Sequence, residues 1–170
     1  MAVKDYVGSA VNIKQSLTFD IKELYKTLKI WLSDRGYNVM EPKYSEMPMG
    51  ESLKKTSFVW NCEKKVDPYT KLAMEISFNA ETKDIAVEKD ETKHLAQEGE
   101  VEIVFVGYIA RDLEEDWALR EKTGMQRFFR ELYDKFSKKG KYEDYEARLK
   151  KDIDSVVYDV KTYLKLHRFD

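Results

Sequence analysis

The chain carries one cysteine (Cys62), two histidines, three prolines and seven glycines in 170 residues. A lone cysteine excludes an internal disulfide framework and any cysteine-cluster zinc site. It is the state expected of a thiol in a reducing compartment, and the cytoplasm is the default reading. No run approaches the roughly 20 apolar residues that a membrane-spanning helix needs. The opening residues, Met1 to Tyr6, lack the apolar core of a secretory signal. An excess of one charge is missing too. Thirty Lys and Arg against 32 Asp and Glu leave a net charge of −2, so no global basic field recruits nucleic acid.

Large apolar residues are plentiful. Hydrophobic residues make up 42% and charged residues 36%, which is too apolar for a disordered tail and about the length of one ordinary domain. Abundant Lys and Glu with little Asn, Gln and Cys is the bias of heat-adapted proteins. The sequence therefore reads as a single domain over residues 1–170, with residues 1–10 as a flexible N-terminus.

Hydrophobic periodicity orders the elements. Val11, Ile13, Gln15, Leu17 and Phe19 alternate with polar neighbours, the period of a half-buried strand. At Asp20 the period changes. Ile21, Leu24, Tyr25, Leu28, Trp31 and Leu32 form one helical stripe over about Asp20 to Arg35. Asp20 has the capping-box spacing to Glu23, Phe19 and Leu24 hold the staple positions, and Gly36 suits a left-handed C-terminal cap. A strand follows over Tyr37–Tyr44, with Pro42 marking an edge or an end. Then come a loop from Ser45 to Ser52 and a strand over Lys55–Lys65. The cleanest alternation, Leu72, Met74, Ile76, Phe78 and Ala80, predicts a strand with one wet face. Glu81-Thr82-Lys83-Asp84 reads as a turn into a short strand that points Ile85 and Val87 inward. A polar stretch precedes a last strand, Val101–Ile109, which is apolar on both faces and so is expected to be covered on both. Two helices close the chain. Met125, Phe128, Phe129, Leu132 and Phe136 mark one that ends at Lys138-Lys139-Gly140, and a stripe from Tyr142 to Tyr163 marks another over about Glu143 to His167.

Strand, helix, a run of strands on short connections, then helices imply an α+β fold. Its antiparallel sheet has five to six strands, packed against an N-terminal helix and one or two long C-terminal helices. This order of elements, helix-grip-like, resembles START-like lipid-binding domains and one half of TATA-binding proteins. It departs from them in having one helix after the first strand and an extra helix before the last. No signature of either family stands in the sequence residue by residue.

Common chemistries lack their usual residues. The seven glycines form no Gly-x-Gly-x-x-Gly and no phosphate-binding Walker run. There is no Gly-x-Ser-x-Gly elbow and no His-Glu-x-x-His. Cys62, His94 and His167 are too scattered for a metal site, and no metal or cofactor is expected. Cys62 falls in line with Phe58 and Trp60, so it reads as a buried, inert thiol and not as the nucleophile of a Cys62–His94 pair. The acidic run Asp112, Glu114, Glu115, Asp116 lacks the spacing of a calcium loop. A basic stretch, Lys135, Lys138, Lys139 and Lys141, is interleaved with aromatics as nucleic-acid surfaces are. Glu143, Asp144 and Glu146 offset it.

Three functional readings remain. The first is a non-catalytic intracellular binding or adapter domain for a protein partner, with Met47, Met49 and Trp117 as contact residues. The second is a carrier of an apolar small molecule, in a pocket between the sheet and the C-terminal helix lined by Trp60, Met74, Phe78, Phe105, Val156 and Val160. The third is a nucleic-acid module using the four lysines, which the balanced charge disfavours.

Overall fold

The structure is a computed structural model that describes residues 3–111 and 124–166, with side chains over 4–88, 90–111 and 140–166. The elements run β1 (Val3–Phe19), α1 (Ile21–Asp34), β2 (Asn38–Pro48), β3 (Leu53–Asp67), β4 (Thr70–Lys89), β5 (Thr92–Arg111) and α2 (Gly124–Leu166). The five strands form one sheet in the order β1-β5-β4-β3-β2, with every neighbouring pair antiparallel. This is the expected α+β class, and its order of elements is compatible with a helix grip.

Helix α1 is built from local signals. Asp20 is its N-cap, accepting the Glu23 N–H at 3.2 Å, and Arg35 is its C-cap. Gly36 follows with φ +86°, the left-handed conformation that a glycine adopts without a Cβ clash. Phe19 and Leu24, the staple pair, are both buried. Leu24, Leu28 and Leu32 fall one helical turn apart and turn that face onto the sheet.

The helix-facing side of the sheet is the core. Phe58, Trp60 and Cys62 of β3 meet Phe78, Ile76 and Met74 of β4, which in turn meet Ile103, Phe105 and Gly107 of β5. Helix α2 covers this face with Leu149, Ile153, Val156 and Val160. At Gly107 a Cβ would stand 2.4 Å from the Ile153 Cδ1, so the glycine leaves room for α2 to approach the sheet. Arg35 bonds Ser155 and Asp159 (2.7 and 2.5 Å), and Tyr37 donates to Asp152 (2.8 Å). These bonds hold the end of α1 to α2. The opposite sheet face carries ion pairs such as Lys71–Glu63 and Lys14–Glu100. Its apolar part is a small cluster of Ala73, Tyr108 and Ala110, so β5 is buried on both faces over that stretch, as expected.

Several expectations about element ends are corrected; β2 runs on to Pro48 and β5 begins at Thr92, and three others bear on the fold. Residues 3–10 belong to β1, and Val3–Val7 pair with Gly107–Arg111 of β5. A register shift between Val7 and Val11, with Gly8 at φ +68°, keeps both valines opposite the core residues of β5. No turn occurs at Glu81–Asp84. β4 continues to Lys89, and the chain reverses at Asp90-Glu91 with φ of +52° and +63°, the double left-handed geometry of a tight hairpin. Ile85 and Val87 therefore have the opposite parity to Leu72–Ala80 and are only half-buried. Finally, Gly140 does not end a helix, because α2 runs through it for 43 residues, or about 65 Å. A helical glycine costs about 1 kcal/mol against alanine. Good helix formers flank it, and propagating a helix is cheaper than nucleating a second one.

Candidate functional site

A cleft of about 380 Å³ opens between the first two turns of α1 and the outer strands β2 and β3. Phe58, Thr56 and Gln97 form its buried floor, and Ile21, Tyr25 and Lys54 its half-buried walls. Lys22, Lys26, Glu41, Tyr44 and Glu46 stand at its exposed rim. The volume falls in the range typical of small-molecule sites, about 300–1,000 Å³.

The register of the edge strand makes the cleft. Val39 pairs with Cys62 and Tyr44 with Phe58, so β2 spends one extra residue between Met40 and Lys43, where Pro42 sits. This bulge puts Glu41, Tyr44 and Glu46 on the helix-facing side. They replace the apolar row that would otherwise close the sheet against α1. Glu41 turns inward and accepts two hydrogen bonds on one carboxylate oxygen, from Tyr25 Oη (2.6 Å) and Trp60 Nε1 (2.7 Å). Glu46 accepts from Tyr44 Oη at 2.8 Å, and its ion pair with Lys54 is long at 3.8 Å. Gln97 accepts the first free amide of α1, Ile21 N–H, at 3.0 Å and donates to Asp84 at 3.2 Å, which ties the helix start to β5.

Rings dominate the floor and walls. Phe58 stacks on Phe78 with centroids 4.6 Å apart, and Tyr44 lies parallel to Phe58 at 6.3 Å. Tyr25 meets Phe58 and Trp60 edge-on at 5.1 and 4.8 Å. Such offset and edge-on pairs are favourable geometries. Burial first, and then the bond to Glu41, pushes the Tyr25 hydroxyl up to about 12; burial and Glu46 do the same for Tyr44. Both therefore remain protonated donors at neutral pH. Thr56 is 1% exposed, and its hydroxyl has no hydrogen-bond partner among the described residues.

The residues singled out in the sequence are placed as follows. Trp60, Met74, Phe78, Phe105, Val156 and Val160 all lie in one packed core under the two helices, each 1% exposed or less. None of them lines the cleft, although Trp60 reaches its wall through Glu41. Met47 and Met49 are about half-exposed at the β2–β3 connection. Trp117, the acidic run Asp112–Asp116 and His167 lie outside the described residues. So do the side chains of Lys135, Lys138 and Lys139, whose backbone belongs to α2; Lys141 is exposed. Cys62 is fully buried and its thiol is pushed up to about 12 by burial. His94 is remote from it. Their partners on β4, Met74 and Val87, are 13 residues apart, which is ~40 Å along an extended strand.

The cleft is not among the sites to which the sequence points. Its available signal was the placement of Glu41, Tyr44 and Glu46 in a strand whose neighbour is apolar at the matching positions. That signal is readable only once the bulge fixes which residues face α1.

No family model and no curated protein matches this chain. Among solved structures it is similar to an uncharacterized protein from Rhizobium leguminosarum, at 9% identity over 71% of this chain and 88% of that one, with a TM-score of 0.17. A likeness of that degree carries no argument about fold or function. No described helix is long and apolar enough to cross a membrane.

Proposed function

We propose that the protein binds a small, largely apolar, ring-bearing molecule in the cleft between α1 and the β2–β3 edge, and does not transform it. The observation that carries this reading is a cleft of about 380 Å³ with Phe58 in its floor, Tyr25 in its wall and Tyr44 at its rim. Its polar groups suit holding more than chemistry. Glu41 accepts from two donors and Glu46 from Tyr44, so both carboxylates are engaged in orienting the wall's rings. The tyrosine hydroxyls are held neutral. A reducing, cytoplasmic setting goes with the buried thiol of Cys62.

The test is titration with N-phenyl-1-naphthylamine, a neutral ring probe that fluoresces in apolar surroundings. Saturable binding at one site per chain is expected. Tyr44→Ala removes a rim ring and weakens it several-fold, in line with about 0.5–1.5 kcal/mol for an aromatic contact. Tyr158→Ala, at an exposed site on α2, leaves it unchanged. No saturable signal, or equal loss in both variants, overturns the reading.

A second reading, a docking surface for another protein, rests on Met40, Met47, Met49 and Leu53, all more than 40% exposed along β2 and its connection to β3. Adaptable methionine surfaces suit partner contacts. Met47→Lys with Met49→Lys separates the two. It abolishes a partner contact and leaves the cleft probe bound as before.

A further inference from the structure

The cleft is chemically lopsided. Its interior is aromatic, while its mouth carries three lysines: Lys22 and Lys26 on α1, and Lys54 on β3. Lys22 and Lys26 are one turn apart, so they present like charges on one helix face, an arrangement that disfavours the helix slightly. Neither makes an ion pair with a described residue, whereas other lysines of the sheet and of α2 do, such as Lys14, Lys71, Lys83 and Lys150. Lys54 has only the long contact to Glu46. Glu41 and Glu46 keep their charge but turn oxygens toward hydroxyl and indole donors of the wall, and three lysines against two carboxylates leave the cleft lining one positive charge in excess.

We infer that the ligand is an amphipathic organic anion, with a ring or chain seated on Tyr25, Tyr44 and Phe58 and a carboxylate- or sulfonate-type group at Lys22, Lys26 and Lys54. This rests on the cleft being a ligand site and specifies what enters it. A neutral ligand of the same shape fills the interior and leaves the lysines repelling one another. An anionic one relieves that repulsion.

The experiment compares two probes that share a ring system and differ by one sulfonate: neutral N-phenyl-1-naphthylamine and anionic 1-anilinonaphthalene-8-sulfonate. At low salt the anion binds about tenfold tighter, a difference of about 1.4 kcal/mol. Its advantage shrinks as salt shortens the screening length to about 10 Å and below. The combined Lys22→Gln, Lys26→Gln and Lys54→Gln variant removes the advantage, read as the ratio of the two probes' affinities in that same variant. None of the three lysines is buried, and unchanged thermal unfolding confirms that the variant folds. If the neutral probe binds and the anion binds no tighter, the anion inference is overturned and the cleft reading stands. If the anion keeps its advantage in the lysine variant, its site lies elsewhere and the inference is overturned again. If neither probe binds, the cleft reading falls and takes this one with it.

Discussion

Replacing Thr56 by valine should stabilise the protein. Thr56 and Thr82 sit on the helix-facing side of β3 and β4, are 1% and 0% exposed, and have hydroxyl oxygens with no hydrogen-bond partner among the described residues. A buried hydroxyl without a partner forfeits its hydration, at about 1–3 kcal/mol. Valine keeps the branched shape and favours a strand equally well, so Thr56→Val opens no cavity and bends no backbone. The expected gain is about 1 kcal/mol, the low end of that range. For a domain of this size, that raises the melting temperature by about 2–4 °C. Thr82→Val should gain as much. Calorimetry or circular dichroism reads both, with coincident transitions as the check on two-state behaviour. The sign decides the matter. A fall of 2–4 °C for Thr56→Val would mean that its hydroxyl is bonded in the folded protein and that the cleft floor holds no unpaired group. Probe affinity serves as the control: Thr82 is not part of the cleft, so Thr82→Val leaves it unchanged.

Three further outcomes follow from the fold. Gly99→Ala places a Cβ 2.0 Å from the Glu81 carbonyl oxygen and 2.8 Å from the Thr82 Cα, backbone atoms that cannot swing aside; it should cost about 3 kcal/mol or more in denaturant unfolding, and a loss below 1 kcal/mol contradicts the β4–β5 register. Gly140→Ala meets nothing within 4 Å inside α2 and should gain about 0.5–1 kcal/mol; a loss there means that the helix breaks at that point. Cys62 should resist thiol reagents in the folded state at neutral pH, since its thiol is raised from 9.0 to about 12 by burial. The same shift sets an alkaline limit. A group with a raised folded pKa contributes stability that is complete below its ordinary value and lost as pH climbs through the raised one. Cys62 and the half-buried Tyr25 place that loss between about pH 9 and 12, and burial beside Asp152 raises Tyr37 as well. A flat stability profile across that window would contradict their burial.

Much of the architecture is local and was legible in the residues. Helix α1 was readable because cap, staple and glycine stop all lie within one turn of its ends. The core faces of β3, β4 and β5 were readable because alternation is a property of neighbours along one strand. Burial of Cys62 followed from sharing a face with Phe58 and Trp60. The boundaries that misled were those where local signals are weak. Four polar residues at Glu81–Asp84 resemble a turn, yet Leu53–Lys55 of β3 and Glu98–Glu100 of β5 pair with them and keep the strand extended. Gly140 resembles a stop, yet a single glycine costs less than a new helix nucleus.

The sequence by itself therefore determined the class of fold, the first helix and the identity of the buried core, because periodicity and capping act over a few residues. Only the tertiary structure decided where a ligand could sit. One extra residue at Glu41–Pro42 sets which side of β2 faces α1, and that choice depends on pairing with a strand some 20 residues away. The same pairing brings Lys22 and Lys26 of the helix to the mouth that Lys54 shares, a meeting of separate elements that no pattern along the chain encodes.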